Sequence, residues 1–304
     1  EAADATGDDG YASEQKRTAS VAESEALAVI TLLKAAQKIR GFGAARLVPK
    51  RDYALSELKL NDIEADKLLS PTESTISGIR DWFTRGFVVL VGVWIFAAHP
   101  DGRQIAASLT FFGGAVAVDQ IGFGGGIEAL ALDTAAQATS PQYVTRLRLH
   151  EAAHFLVAYL MGILPKGYTL SSKDAWEKYN ALNVQAGCAF CDGEFQEEVA
   201  LGKITSASLG KFACVALAGI GMEYVEFGFA EGGVSDVRQL DGMLRALAFS
   251  QKKSDSEVRW AVLNVISILR RHKGVVVALA ETMATGATVG ECVKRIEQEL
   301  GDDI

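Results

Sequence analysis

Only four histidines occur in the 304 residues, and two of them flank a glutamate in His150-Glu151-Ala152-Ala153-His154. On a helix, positions i and i+4 share a face, so both imidazoles can reach one metal ion. Neutral imidazole nitrogen binds Zn²⁺ at about 2.0–2.1 Å. Glu151 lies about 100° further round the helix. It can face water at the ion without ligating it, and can take a proton from that water as a general base. The spacing therefore predicts a zinc site of metallopeptidase type, provided the segment is helical. Ser140-Pro141 supplies a cap and a first-turn proline, and the helix is expected to run through the motif and end near Gly162, before Pro165.

A catalytic zinc needs a third protein ligand and an open position. Asp236, Glu223, His272 and Glu231 are the downstream candidates. A nearby third histidine is excluded, because Val157 and Leu160 break the HExxHxxGxxH pattern. His272 follows Arg270-Arg271 at an expected helix end, where a cation serves as a cap rather than a ligand. His99 falls in a turn beside Pro100 and reads as solvated or interfacial. Cys188-x-x-Cys191 has redox or zinc-ribbon spacing, but there is no second pair and no thioredoxin-like setting, so neither role is assigned. Cys214 reads as core, and Cys292 lies in the last amphipathic helix without a visible partner. Gly122–Gly126 lacks the strand, helix and acidic partner of a dinucleotide fingerprint.

The elements that must position these groups are mostly helical. Half the residues are apolar and only five are proline. A net charge of −8 argues against a nucleic-acid partner. Four cysteines are too few for a disulfide scaffold, and reduced thiols in an intracellular or organellar compartment are expected. The chain begins at Glu1 rather than Met, which reads as a removed leader or a truncation. Residues 1–18 read as a flexible acidic tail and 19–80 as a helical region. Within the latter, one helix runs from Ser20 to Ile39 and stops at Gly41 and Gly43, and one or two short helices occupy 50–69. A further helix starts near Thr72 or Ser74.

Residues 81–135 hold two uncharged runs, 86–98 and 105–118, joined by the turn His99-Pro100-Asp101-Gly102-Arg103. Two readings stay open: a helical hairpin embedded in or crossing a membrane, with Trp82 and Trp94 near interfaces, or a buried hairpin of a soluble domain. Residues 136–304 carry the motif. Strand-like or loop segments are expected at 167–172 and 187–195, and helices over 206–227 and 235–249. Capping boxes at Ser254-x-x-Glu257 and Thr288-x-x-Glu291 announce two more helices.

Residues 145–245 resemble the peptidase domain of FtsH, the membrane-bound AAA zinc protease. In that family HEAGH is followed by G-R-A-A-E-E and then G-A-S-N-D-L. Here HEAAH is followed by Ala218-Gly219-Ile220-Gly221-Met222-Glu223 and then Gly232-Gly233-Val234-Ser235-Asp236-Val237. The resemblance implies Zn²⁺ held by His150, His154 and Asp236, with Glu151 as base and Glu223 supporting a histidine ligand. The middle segment keeps one Gly and one Glu but loses the family's Arg and second acid. No Walker A motif occurs in the 304 residues. From about residue 50 onward the chain is similar to plastid FtsH relatives without the ATPase. That implies a chloroplast, thylakoid-associated zinc metalloendopeptidase acting on unfolded or peptide substrates, alongside a membrane-complex or FtsH-type partner. The altered segment keeps a second reading open: an inactive FtsH-like subunit or assembly factor of a plastid membrane complex. The expected fold is mainly α, an FtsH-peptidase-like helical domain with a small β element, preceded by the helical region and the hairpin.

Overall fold

The computed structural model describes residues 7–180 and 186–301. In chain order the elements are α1 (Gly7–Ala35), α2 (Leu55–Leu60), α3 (Ala65–Leu69), α4 (Ser74–Ala98), α5 (Gly102–Gly122), α6 (Gly126–Thr139) and α7 (Pro141–Leu160). Then come β1 (Pro165–Thr169), α8 (Ser172–Tyr179), β2 (Gly187–Phe190), α9 (Gly193–Ala200), α10 (Ser206–Ala216), α11 (Ala218–Phe227), α12 (Val234–Ala246), α13 (Gln251–Arg271), α14 (Lys273–Ala284) and α15 (Val289–Leu300). The protein is mainly helical, with one small two-stranded sheet.

The core is built round α7. Ser140 caps it by accepting from the Tyr143 amide, with Pro141 in the first turn, as the sequence predicts. Every residue from Leu149 to Leu160 is buried, so α7 has neighbours on all sides. They are α6, α10, α11, α13, α14 and the β1–β2 pair. The strands are antiparallel, with Tyr168 opposite Cys188 and Thr169 opposite Gly187.

Several expectations need correction. The expected tail, 1–18, is helical from Gly7, since its later part is rich in Ala, Glu, Gln, Lys and Arg, all good helix formers; residues 1–6 lie outside the described residues. That helix ends at Ala35, short of Gly41, because Gln37 takes a left-handed conformation (φ 55°). The single helix expected over 206–227 is two, α10 and α11, bent by 42° at Leu217. Helix α13 starts one turn before the expected box: Ser250, not Ser254, caps it by accepting from Lys253 N. Residues 191–195 leave the strand, and α9 begins at Gly193. The Thr288–Glu291 box is present.

Helices α4 and α5 project from this body. No residue of α4 is buried, and of α5 only Asp119 is. Leu90, Phe96, Leu109 and Phe111 all point outward. The hairpin is therefore not buried within the described residues. Both helices are long and apolar enough to cross a membrane. Their feet are fastened to α6. Asp119 accepts from the Ile127 and Glu128 amides at the start of α6, and Arg80 pairs with Glu128 at 2.7 Å.

Candidate metal centre

His150 and His154 project from adjacent turns of α7 with ring centroids 4.8 Å apart. Each has its Nδ1 engaged. The Val215 carbonyl can only accept, so the 2.8 Å contact requires His154 Nδ1 to donate. That carbonyl lies in the last turn of α10, just before the bend at Leu217. His150 Nδ1 donates to Glu223 Oε1 at 2.7 Å. Burial pushes the Glu223 carboxyl up, but the facing His150 and the Glu231 and Gly232 amides outweigh it, holding it at about 2 and ionised. With each Nδ1 engaged, Nε2 is the nitrogen that each imidazole, when neutral, could offer to a metal.

Both Nε2 atoms face one oxygen. Asp236 Oδ2 is 3.1 Å from that of His150 and 3.4 Å from that of His154. Asp236 comes from the first turn of α12, where the helix dipole favours an acid. Burial raises the Asp236 carboxyl, and the two histidines more than reverse this. The three ligand atoms lie within 4.8 Å of one another. Two glycines permit this approach. A Cβ on Gly219 would overlap the His150 ring, so α11 can cross α7 here only without a side chain. Gly233 has φ +83°, and a Cβ there would collide with Ile220 and come within 3.0 Å of Asp236 Oδ2.

Glu151 is buried beside this group, and its Oε2 has no hydrogen-bond partner. Burial pushes its carboxyl above the ordinary range. His150 experiences two opposed effects. Burial disfavours its cation, but the Asp236 and Glu223 carboxylates outweigh this and raise its pKa well above the ordinary value. The pocket thus favours a positive charge between its acids. Two neutral imidazole nitrogens and one carboxylate suit Zn²⁺. The residues fit the metal that the motif implies.

Of the four candidates for a third ligand, Asp236 reaches the imidazole pair. Glu223 instead backs His150. His272 stands at the C-terminal end of α13, its amide donating to the Ile268 carbonyl, but burial and Arg271 lower its pKa, so the cationic cap expected there is disfavoured. Glu231 faces away, toward α4. The Cys188 and Cys191 thiols part company. Cys188 Sγ donates to the Glu151 carbonyl at 3.3 Å, while Cys191 packs with Ile30, Ile39 and Leu164. All four cysteines are free, and Cys214 is core.

The sequence reading missed Arg146. It lies four residues before His150, hence on the same face of α7. It is buried, and its Nη1 donates to Glu223 Oε2 at 3.0 Å and to the Phe229 carbonyl at 3.2 Å. The cation facing Glu223 is thus delivered from a different helix, α7. No protein-family model matches the chain, and neither a curated protein nor a solved structure does.

Proposed function

We propose that the chain is a membrane-anchored zinc metallopeptidase, related to FtsH peptidases and without an ATPase in these 304 residues. The observation that carries this is the convergence of His150 Nε2, His154 Nε2 and Asp236 Oδ2 beside the buried Glu151, whose Oε2 has no hydrogen-bond partner. Zn²⁺, when bound by these three, supplies Lewis acidity to a scissile carbonyl and acidifies water. Glu151 accepts the proton of the attacking water and passes it to the leaving amine nitrogen. Glu223 and the Val215 carbonyl keep each ring in the tautomer that presents Nε2.

The exposed apolar faces of α4 and α5 support anchoring in a bilayer. The FtsH resemblance supports a chloroplast, thylakoid-associated location and a membrane-complex partner. The substrates this reading favours are short or unfolded polypeptides, or ones presented by a partner.

The deciding experiment uses the full chain in lipid nanodiscs. We expect one zinc per chain and cleavage of an unfolded model protein, with Glu151→Gln keeping the zinc and abolishing cleavage. Stoichiometric zinc with no cleavage by the wild type would replace the enzyme by the assembly-factor reading. Iron in place of zinc would point to the oxygen chemistry that two-histidine, one-carboxylate sites also support.

A further inference from the structure

Glu231 was a candidate ligand and is not one. It occupies the loop Glu231-Gly232-Gly233 that leads into α12 and hence to Asp236. Its carboxylate does two things. One oxygen, Oε1, accepts from the Thr75 amide at 2.6 Å and from the Ser74 hydroxyl at 2.8 Å, capping the first turn of α4. Glu73, the residue preceding α4, is left-handed and has no capping side chain of its own, and its amide donates to the Glu231 carbonyl at 2.8 Å. The other oxygen, Oε2, lies 3.2 Å from Arg146 Nε, an ion pair in which the N–H is not aimed at the oxygen. Arg146 holds Glu223, and Glu223 accepts from the Glu231 and Gly232 amides at 2.7 and 3.1 Å as well as from His150. A closed circuit of polar contacts therefore runs from the first turn of the apolar hairpin to both the histidine support and the aspartate loop.

The geometry points to Glu231 as a positioning residue through which the seating of α4 sets the metal affinity of the His150–His154–Asp236 site. This rests on the metal-site reading above. With α4 docked, the Glu231–Gly233 loop is held at both ends and the guanidinium is fixed over Glu223. With α4 displaced, the carboxylate loses its amide and hydroxyl donors and swings on Arg146, and the loop that places Asp236 slackens. The hairpin thus reports its state in the bilayer to a centre it does not touch. Outer contacts of this kind change metal affinity by about 10–100-fold.

The test places the change on the hairpin side. Ser74 is exposed and touches neither the metal ligands nor Arg146. Ser74→Asp keeps a good first-turn residue on α4 but sets a second carboxylate against Glu231. Ser77→Asp, whose native hydroxyl bonds only the Ser74 carbonyl, adds the same charge without that contact. The readout is zinc affinity of the full chain in nanodiscs, by competition with a chromophoric chelator, with thermal unfolding of the metal-free protein as a check on folding. We expect Ser74→Asp to weaken zinc binding about 10-fold, Ser74→Ala less, and Ser77→Asp not at all. Glu231→Ala should weaken it by about 10–100-fold, and Glu231→Gln, which keeps an acceptor for Thr75, by less. Wild-type affinity in Ser74→Asp alongside a loss in Glu231→Ala overturns the link to the hairpin, as does equal loss in Ser74→Asp and Ser77→Asp. A wild type that binds zinc but cleaves nothing refutes the peptidase reading and leaves this one standing. A wild type that binds no zinc refutes both.

Discussion

Two long helices meet opposite surroundings. The α7 helix carries Arg146, His150, Glu151 and His154, yet from Leu149 onward it is sealed inside the protein. The α4 helix is uncharged from Gly86 to Ala98, and none of its residues is buried. Apolarity alone would have ranked them the other way round. What lets α7 into the core is that most of its polar side chains are paired: Arg146 on Glu223, His150 on Glu223 and Asp236, His154 on Val215, with Glu151 Oε2 and Arg146 Nε left without a hydrogen bond. Buried polar groups are tolerated when they are paired, and an unpaired one is costly. Helix α4 packs chiefly along α6, and its apolar residues stay exposed.

The largest expected effect breaks a pair on which the α7 side depends. Arg146→Ala leaves Glu223 buried without its cation and should cost about 3–5 kcal/mol, read by chemical denaturation of the metal-free chain. Next is Leu156→Ala, at a fully buried position of α7, at about 2–5 kcal/mol. Its counterpart, Leu90→Ala on exposed α4, should leave the same unfolding free energy within about 0.5 kcal/mol and instead weaken partition into vesicles. If Leu90→Ala cost as much as Leu156→Ala, α4 would have a protein partner and the contrast would fail.

The smallest effect is a matter of pH. Burial raises the Glu257 carboxyl, and Lys253 and Lys50 outweigh it, so it titrates below its ordinary 4.5 in the folded protein. The unfolded chain then takes up this proton first. The stability from these pairs is present above about pH 4.5 and lost as pH falls through the lower folded value. Glu257→Gln should flatten that part of the stability profile, measured by thermal melts across the acid range.

How much of this was legible in the sequence follows from the reach of each interaction. The HExxH spacing, the Ser140-Pro141 start and the Thr288–Glu291 box are local patterns, and each stands where the chain alone put it. Arg146 was visible only as a position on the face of His150; nothing local says that Glu223, on another helix, meets it. The Leu217 bend and the capping of α4 by Glu231 were illegible for the same reason. The first turns on a carbonyl facing His154 and a glycine beneath His150. The second joins groups more than 150 residues apart, Ser74 and Glu231. The Ser254 box failed because Ser250 offers an equivalent cap one turn earlier, and local chemistry does not choose between them.

His150 and Asp236 are separated by 86 residues, and the hairpin ends at Gly122, before either is reached. A chain delivered from its N-terminus therefore completes its two exposed apolar helices before Asp236 is available, so the His150–His154–Asp236 cluster is among the last features to close.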